Sequence, residues 1–359
     1  MSENQIYRET AAAFRHIDFS RLFGKSLLVT GATGLIGSYL LETVRWLNRE
    51  KGADIQLLIL SHNGLPSHLT HFSEIPWATI LTGDLSDGEW RRKLPATDFM
   101  IHAAGYGQPG KFTSDPAKTL ALNTAATLDL LDRLRSGGSF LFISTSELYS
   151  GLQKSAYTEG DIGTTTPMHP RACYIEGKRC GETACMAYRL RGVDAKCARL
   201  ALAYGPGTRA DDKRVMNEFI KKALIDRKIR MLDSGKAMRT YCYVTDAVEY
   251  MWQILLHGTE PVYNVGGHSE TSIAGLAKEI GEITGAAVEF PPADKDLIGA
   301  PASVRLDMNK AEKEFQKTDY VSLYDGLTRT IAWQQGWLYG GMNPAQSLWA
   351  EDTFRKGRQ

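Results

Sequence analysis

The chain of 359 residues is long enough to bury a large core, in one big domain or two closely packed ones. Its 42 basic side chains nearly cancel its 41 acidic ones, so neither a nucleic-acid partner nor an anionic membrane surface is expected. No apolar run reaches the length of a membrane span, "MSENQIYRET" lacks the basic and apolar parts of a signal peptide, and Cys173, Cys180, Cys185, Cys197 and Cys242 include no CxxC. The expectation is therefore a cytoplasmic protein with neither a zinc site nor a disulfide framework.

In chain order, residues 1–24 read as a polar, partly helical lead-in. Apolar runs then predict strands at 26–30, 55–60, 78–83, 98–104, 139–145 and 194–202, with helical patterns at 35–49, 116–135 and 172–191 between several of them. "HLTH" puts His68 and His71 three apart with no third ligand nearby, and reads as a solvated segment. Strands alternating with helices imply right-handed βαβ units and a doubly wound parallel α/β sheet. After residue 204 the order becomes irregular: a Gly- and Asp-rich loop, the helix "RVMNEFIKKALIDR", a strand at 261–267 and a helix at 272–285. The expected division is a Rossmann-type dinucleotide-binding domain over 25–203, with a return at about 240–267. A smaller substrate domain would come from 204–239 and 268–340, followed by a tail at 341–359.

Three stretches carry chemistry. In "VTGATGLIGSYL", Gly31, Gly34 and Gly37 stand between a strand and an amphipathic helix. Glycine there permits a tight turn and close approach of backbone to a pyrophosphate, which the helix N-terminus from Leu35 favours. "GDLSD" sets Asp84 and Leu85 at a strand end where an adenine would lie. After the second strand an acidic residue would normally accept the ribose hydroxyls, yet the sequence reads "LILSHNG". That leaves Ser61, His62 or Asn63; no arginine stands there for a 2′-phosphate, so NAD is favoured over NADP. "FLFISTSELYSG" turns from a buried run to three hydroxyls and a carboxylate at the end where open α/β sheets bind ligands. "RACYIEGKR" holds Tyr174 and Lys178 one helical turn apart. There the ammonium is expected to stabilise the phenolate and lower the phenol's pKa.

Taken with "HAAG" (102–105), Asn123 in "LNTAATLDLL", "RLALAYGPG" and "MRTYCYVTDAV", these motifs resemble the extended short-chain dehydrogenase/reductases of the NAD-dependent nucleotide-sugar epimerase/dehydratase family, from about Lys25 to about Gly285. "STSELYSG" followed by "RACYIEGKR" is most similar to UDP-glucuronate decarboxylases. The resemblance implies NAD against Gly31, Thr33, Gly34, Leu35, Ile36, Gly37, Asp84, Leu85, Ala103, Ala104, Tyr174 and Lys178. It implies Thr145, Glu147, Tyr174 and Lys178 as catalytic residues: Thr145 and Tyr174 at the sugar 4-hydroxyl, Glu147 near C5. Ser146 and Arg239 would bind substrate, Arg239 through a diphosphate.

Two departures stand out. Ala201 and Leu202 replace the Phe and Asn of the usual "RxFNxYGP", which removes a polar contact. Ser146 replaces the Asp that dTDP-glucose dehydratases carry beside the glutamate, which disfavours that mechanism. The expected reaction runs through a 4-keto sugar, with 4,6-dehydration or C4 epimerisation as alternatives to decarboxylation. Outside that class stand a net NAD(P)H-dependent reductase of a non-sugar carbonyl and a non-catalytic dinucleotide sensor. Apolar residues on several faces of 116–135 and 172–191 predict a homodimer.

Overall fold

The computed structural model describes residues 4–209, 211–291 and 305–338. The expected tail at 341–359, with 292–304 and 339–340 of the expected substrate domain, lies outside them. The lead-in is less polar in effect than its composition. Its helix α1 (Gln5–Ala13), capped by the Asn4 side chain on the Tyr7 N–H at 2.8 Å, buries Ile6 and Tyr7, with Phe14 just beyond it. The Glu9 carboxylate accepts from the Tyr39 hydroxyl at 2.9 Å and the Tyr243 hydroxyl at 2.7 Å, joining the lead-in to distant parts of the chain.

There follow β1 (Ser26–Thr30), α2 (Leu35–Lys51), β2 (Gln56–Ser61), β3 (Ala78–Thr82), α3 (Gly88–Arg91), β4 (Thr97–His102) and α4 (Pro109–Ser114). Next come α5 (Pro116–Asn123), α6 (Ala125–Leu131), β5 (Leu134–Thr145), α7 (Ala172–Arg189), β6 (Asp194–Leu200), β7 (Leu202–Tyr204) and α8 (Val215–Asp226). The described chain continues with β8 (Lys228–Arg230), β9 (Met238–Tyr243), α9 (Val244–His257), β10 (Val262–Val265), β11 (Ser269–Ser272), α10 (Ile273–Thr284), β12 (Ala287–Glu289), α11 (Asn309–Phe315) and α12 (Leu323–Leu338).

Seven of the described strands form one parallel sheet in the order β10-β6-β5-β4-β1-β2-β3. Both faces are covered, which is why its strands read as continuous apolar runs. Leu27, Val29, Ile101 and Leu141 face the core shared with α1, α2 and α9, while Leu28, Met100, Phe140 and Phe142 face the one under α6 and α7. Strand order reverses between β1 and β4, so a crevice opens at their carboxyl ends. The fold is the doubly wound, Rossmann-type α/β sheet expected. Beyond it, β11-β9-β7 make a three-stranded sheet and β12-β8 a pair.

Three local expectations need correction. The helix expected over 116–135 is two, broken at Thr124 (φ −115°, ψ −80°). Thr119, Asn123, Thr124 and Thr127 each donate a side-chain hydrogen bond to the carbonyl four residues back, a habit that bends helices. From Leu134 the chain is already β5, Leu134 pairing with Thr97 before a register irregularity, where Gly138 lies so close to the Asp98 carbonyl that a Cβ would stand 2.2 Å from its oxygen. The strand expected over 194–202 changes sheets: β6 ends at Leu200, the Ala201 N–H takes the Val265 carbonyl, and β7 pairs with β9 instead. Finally, "HLTH" is not solvated. His71 meets the buried Glu42 carboxylate at 3.2 Å and His68 meets Ser38 Oγ at 3.1 Å; burial lowers the His68 pKa to about 4.

Candidate active site

The turn after β1 is built by backbone necessity. Gly31 sits at φ +66°, and a Cβ there would lie 2.4 Å from the Ala103 carbonyl oxygen; one on Gly37 would lie 2.4 Å from the Gly31 oxygen. Gly34 is the N-cap of α2 and offers no capping side chain, so the N-terminal N–H groups of α2 face the crevice beside Ala103. Thr30 Oγ1 accepts from the Ala104 N–H at 3.0 Å and lies 2.7 Å from His102 Nδ1. Burial pushes the His102 pKa down to about 3, so its ring is neutral. With Nε2 3.0 Å from the Leu122 oxygen, the fitting tautomer donates there and accepts from Thr30.

Asp84, two residues beyond β3, has both carboxylate oxygens engaged: Oδ1 accepts from the Ser86 N–H and hydroxyl, Oδ2 from Lys118 at 2.6 Å. Burial raises its pKa, but those hydrogen bonds outweigh it and hold the group at about 2. Leu85 is buried in the core under α6. Of the three ribose candidates, Ser61 turns inward to donate to the Gly64 carbonyl at 2.5 Å, whereas His62 and Asn63 are exposed.

The polar end of β5 lies across the same crevice. Gly31, Gly34, Leu35, Ile36, Gly37 and Ala103 line one cavity of about 290 Å³ together with Ser144, Thr145, Ser146, Glu147, Tyr174 and Lys178. Thr33, Asp84, Leu85, Ala104 and Arg239 lie outside that lining. Lys178 is buried, donates to the Ile143 carbonyl at 2.6 Å and sits over the Phe142 ring. The electrostatics run against the expected direction for Tyr174. Burial pushes the phenol up to about 12 despite its hydrogen bond with Thr145, and burial pushes Lys178 down to about 7. Desolvation penalises both charged forms, and no sequence pattern reports it.

A second cavity of about 760 Å³ continues outward, and Leu202, Ala203 and Arg214 line both. It carries Lys111, Lys213, Arg214 and Arg239. Arg239 donates to the Met238 carbonyl at 2.6 Å. Arg214, fixed by Asp212 at 2.6 and 2.9 Å, is near enough to lower the Tyr174 pKa. Ala201 and Leu202 stand in the wall where the resembled pattern has Phe and Asn.

Several residues escaped the sequence reading. Arg171 pairs with Glu147, and Phe112 lies flat on the Tyr174 ring, centroids 4.6 Å apart and planes at 6°. Arg171 could have been flagged by its spacing, three residues before Tyr174 and so on the same helix face. Phe112 comes from the short helix α4 and Arg214 from the residue that caps α8, neither with such a periodic signal.

The NAD dependent epimerase/dehydratase family matches residues 27–266. A curated relative, UDP-glucuronic acid decarboxylase 1 of Arabidopsis thaliana, is 29% identical over 310 residues, 85% of this chain and 69% of the relative. A solved dTDP-glucose 4,6-dehydratase of Streptomyces venezuelae with NAD bound is 25% identical, with a TM-score of 0.71 over 86% of this chain and 97% of its own. A UDP-glucuronic acid 4-epimerase from Bacillus cereus, at 24% identity and a TM-score of 0.70, covers 86% of this chain and 99% of its own and shares the fold.

Proposed function

The chain belongs to the NAD-dependent epimerase/dehydratase family, and on that premise we propose that it is an enzyme acting on a nucleotide-diphosphate sugar through a 4-keto intermediate, with decarboxylation of a UDP-glucuronate-like substrate as the leading course. The observation that carries this is one cavity shared by the glycine turn and by Thr145, Glu147, Tyr174 and Lys178, opening into a second one lined by Arg214 and Arg239.

The residues fit NAD. Gly31 and Gly37 leave no room for a Cβ, and the uncapped first turn of α2 presents N–H donors to a pyrophosphate. When bound there, NAD supplies reversible acceptance of hydride from the sugar C4. Tyr174 takes the 4-hydroxyl proton while Thr145 holds that oxygen, and Lys178 stabilises the negative charge on the phenolate. A ketone at C4 makes a C5 carboxylate a β-keto acid. As CO₂ leaves, the C5–C6 electron pair becomes an enolate whose oxygen Tyr174 and Thr145 hydrogen-bond. Glu147 then delivers the proton that C5 needs, and return of the hydride to C4, with a proton from Tyr174 to the 4-oxygen, leaves no net change in the cofactor. Arg214, Arg239, Lys111 and Lys213 suit the diphosphate by charge and, for the guanidiniums, by forked geometry.

A homodimer is part of this reading, supported by Leu120 and Leu128, 40% and 42% exposed on the α5–α6 face. A single monomeric mass by sedimentation at micromolar concentration would count against it. The test of function is incubation of the purified protein and NAD with a panel of nucleotide sugars, followed by product mass. Loss of CO₂ from UDP-glucuronate without net cofactor reduction is expected. Stoichiometric consumption of reduced cofactor by a non-sugar carbonyl, with every nucleotide sugar unchanged, would sink the proposal.

A further inference from the structure

Glu147 has one oxygen in an ion pair with Arg171, while Oε2 is buried without a hydrogen-bond partner among the described residues, and the residue is part of the lining of the candidate catalytic cavity. Arg171 is the N-cap residue of α7, the helix that carries Tyr174; its own carbonyl accepts from the Tyr174 N–H at 3.1 Å. A cation at the positive end of a helix dipole is unfavourable, so the helix gains nothing from this charge. The guanidinium instead stacks over the Phe112 ring at 5.4 Å, and Phe112 lies flat on Tyr174. One side chain thus joins the three segments that make the site: the end of β5, the start of α7 and the short helix α4.

We propose that Arg171, backed by Phe112, is a positioning residue that fixes the Glu147 carboxyl at the wall of the cavity and keeps its proton exchangeable. The chemical consequence at C5 rests on the nucleotide-sugar reading; the physical arrangement does not. A carboxyl buried beside apolar walls binds its proton too tightly to pass it on, and burial does raise Glu147 while Arg171 opposes that rise. The other ionisable groups lining the cavity are Tyr174 and Lys178 of α7, Arg214 from the loop before α8 and Tyr106 from the loop after β4. Tyr174 and Lys178 face the crevice from the same helix, Arg214 is held by Asp212, and Arg171 alone is paired with the Glu147 carboxylate among the described residues.

The decisive measurement reads Glu147 itself. Protein labelled with ¹³C-carboxyl glutamate is titrated by NMR, the Glu147 signal being the one lost in Glu147→Gln. Arg171→Met is expected to move the Glu147 midpoint upward and Arg171→Lys to bring it back toward the native value. Phe112→Leu, which removes the stacking platform and keeps the charge, is expected to move it the same way by less. With UDP-glucuronate and NAD, the product-forming step of Arg171→Met is expected to slow by about 10- to 100-fold, a share of what a placed acid–base group supplies, while cofactor reduction changes less. An unmoved Glu147 midpoint in Arg171→Met overturns the proposal, and so does an unmoved midpoint in Phe112→Leu if Arg171→Met does not fold. A moved midpoint in a protein that converts no nucleotide sugar would sink the functional reading and leave this assignment standing.

Discussion

Lys178→Met probes the proton that starts the reaction. Burial lowers the Lys178 pKa to about 7 and raises that of Tyr174 to about 12. An amine beside a phenol has the same net charge as an ammonium beside a phenolate, so the lysine can hold the proton that the phenol gives up. The base form of the pair is therefore available above about pH 7, and the rate of cofactor reduction should rise with pH through that point. Without the lysine the buried phenol has no amine beside it to take up the proton, and burial disfavours its ionised form at neutral pH. The expected loss at pH 7 is about 10²- to 10⁴-fold, the range a placed acid–base group supplies, and it shrinks as the pH rises. The assay is single-turnover formation of reduced cofactor between pH 5 and 10 at saturating NAD and UDP-glucuronate, so that weaker cofactor binding does not enter. A Lys178→Met enzyme that keeps a limb near pH 7, or loses less than tenfold there, would refute the shared-proton argument.

Three further perturbations follow from the geometry. Gly31→Ala forces an L-residue into φ +66° and drives its Cβ to 2.4 Å from a backbone oxygen; NAD affinity by fluorescence titration should fall at least about tenfold, and unchanged affinity would place the cofactor elsewhere. Arg199→Met strands the buried Glu182 carboxylate, which Arg199 now holds at 2.8 and 2.9 Å, one turn beyond Lys178 on α7. Urea unfolding should report a loss of about 3–5 kcal/mol, largely restored by adding Glu182→Met; a loss below about 1 kcal/mol would mean the pair is not buried in solution. Glu147→Gln should still reduce bound NAD yet form product about 10² to 10⁴ times more slowly, and unchanged product formation would favour a C4-epimerase.

What the sequence determined by itself was everything written in local spacing. A glycine that must adopt positive φ, an apolar run covered on two faces and a Tyr and Lys one turn apart are constraints within a dozen residues, and they yielded the sheet, the turn and the strand end that lines the cavity. Tertiary structure decided the rest. Where α5 breaks depends on four side chains that bond back to their own helix, and where β6 gives way to β7 depends on which strand offers the next carbonyl. Phe112 and Tyr174 lie 4.6 Å apart in space but belong to separate helices, and Arg214 reaches the site from a third segment. The direction of the Tyr174 shift was misjudged from sequence for the same reason. A neighbouring charge is visible in the spacing of a motif, whereas desolvation depends on how completely the folded chain excludes water, and here it is the larger effect.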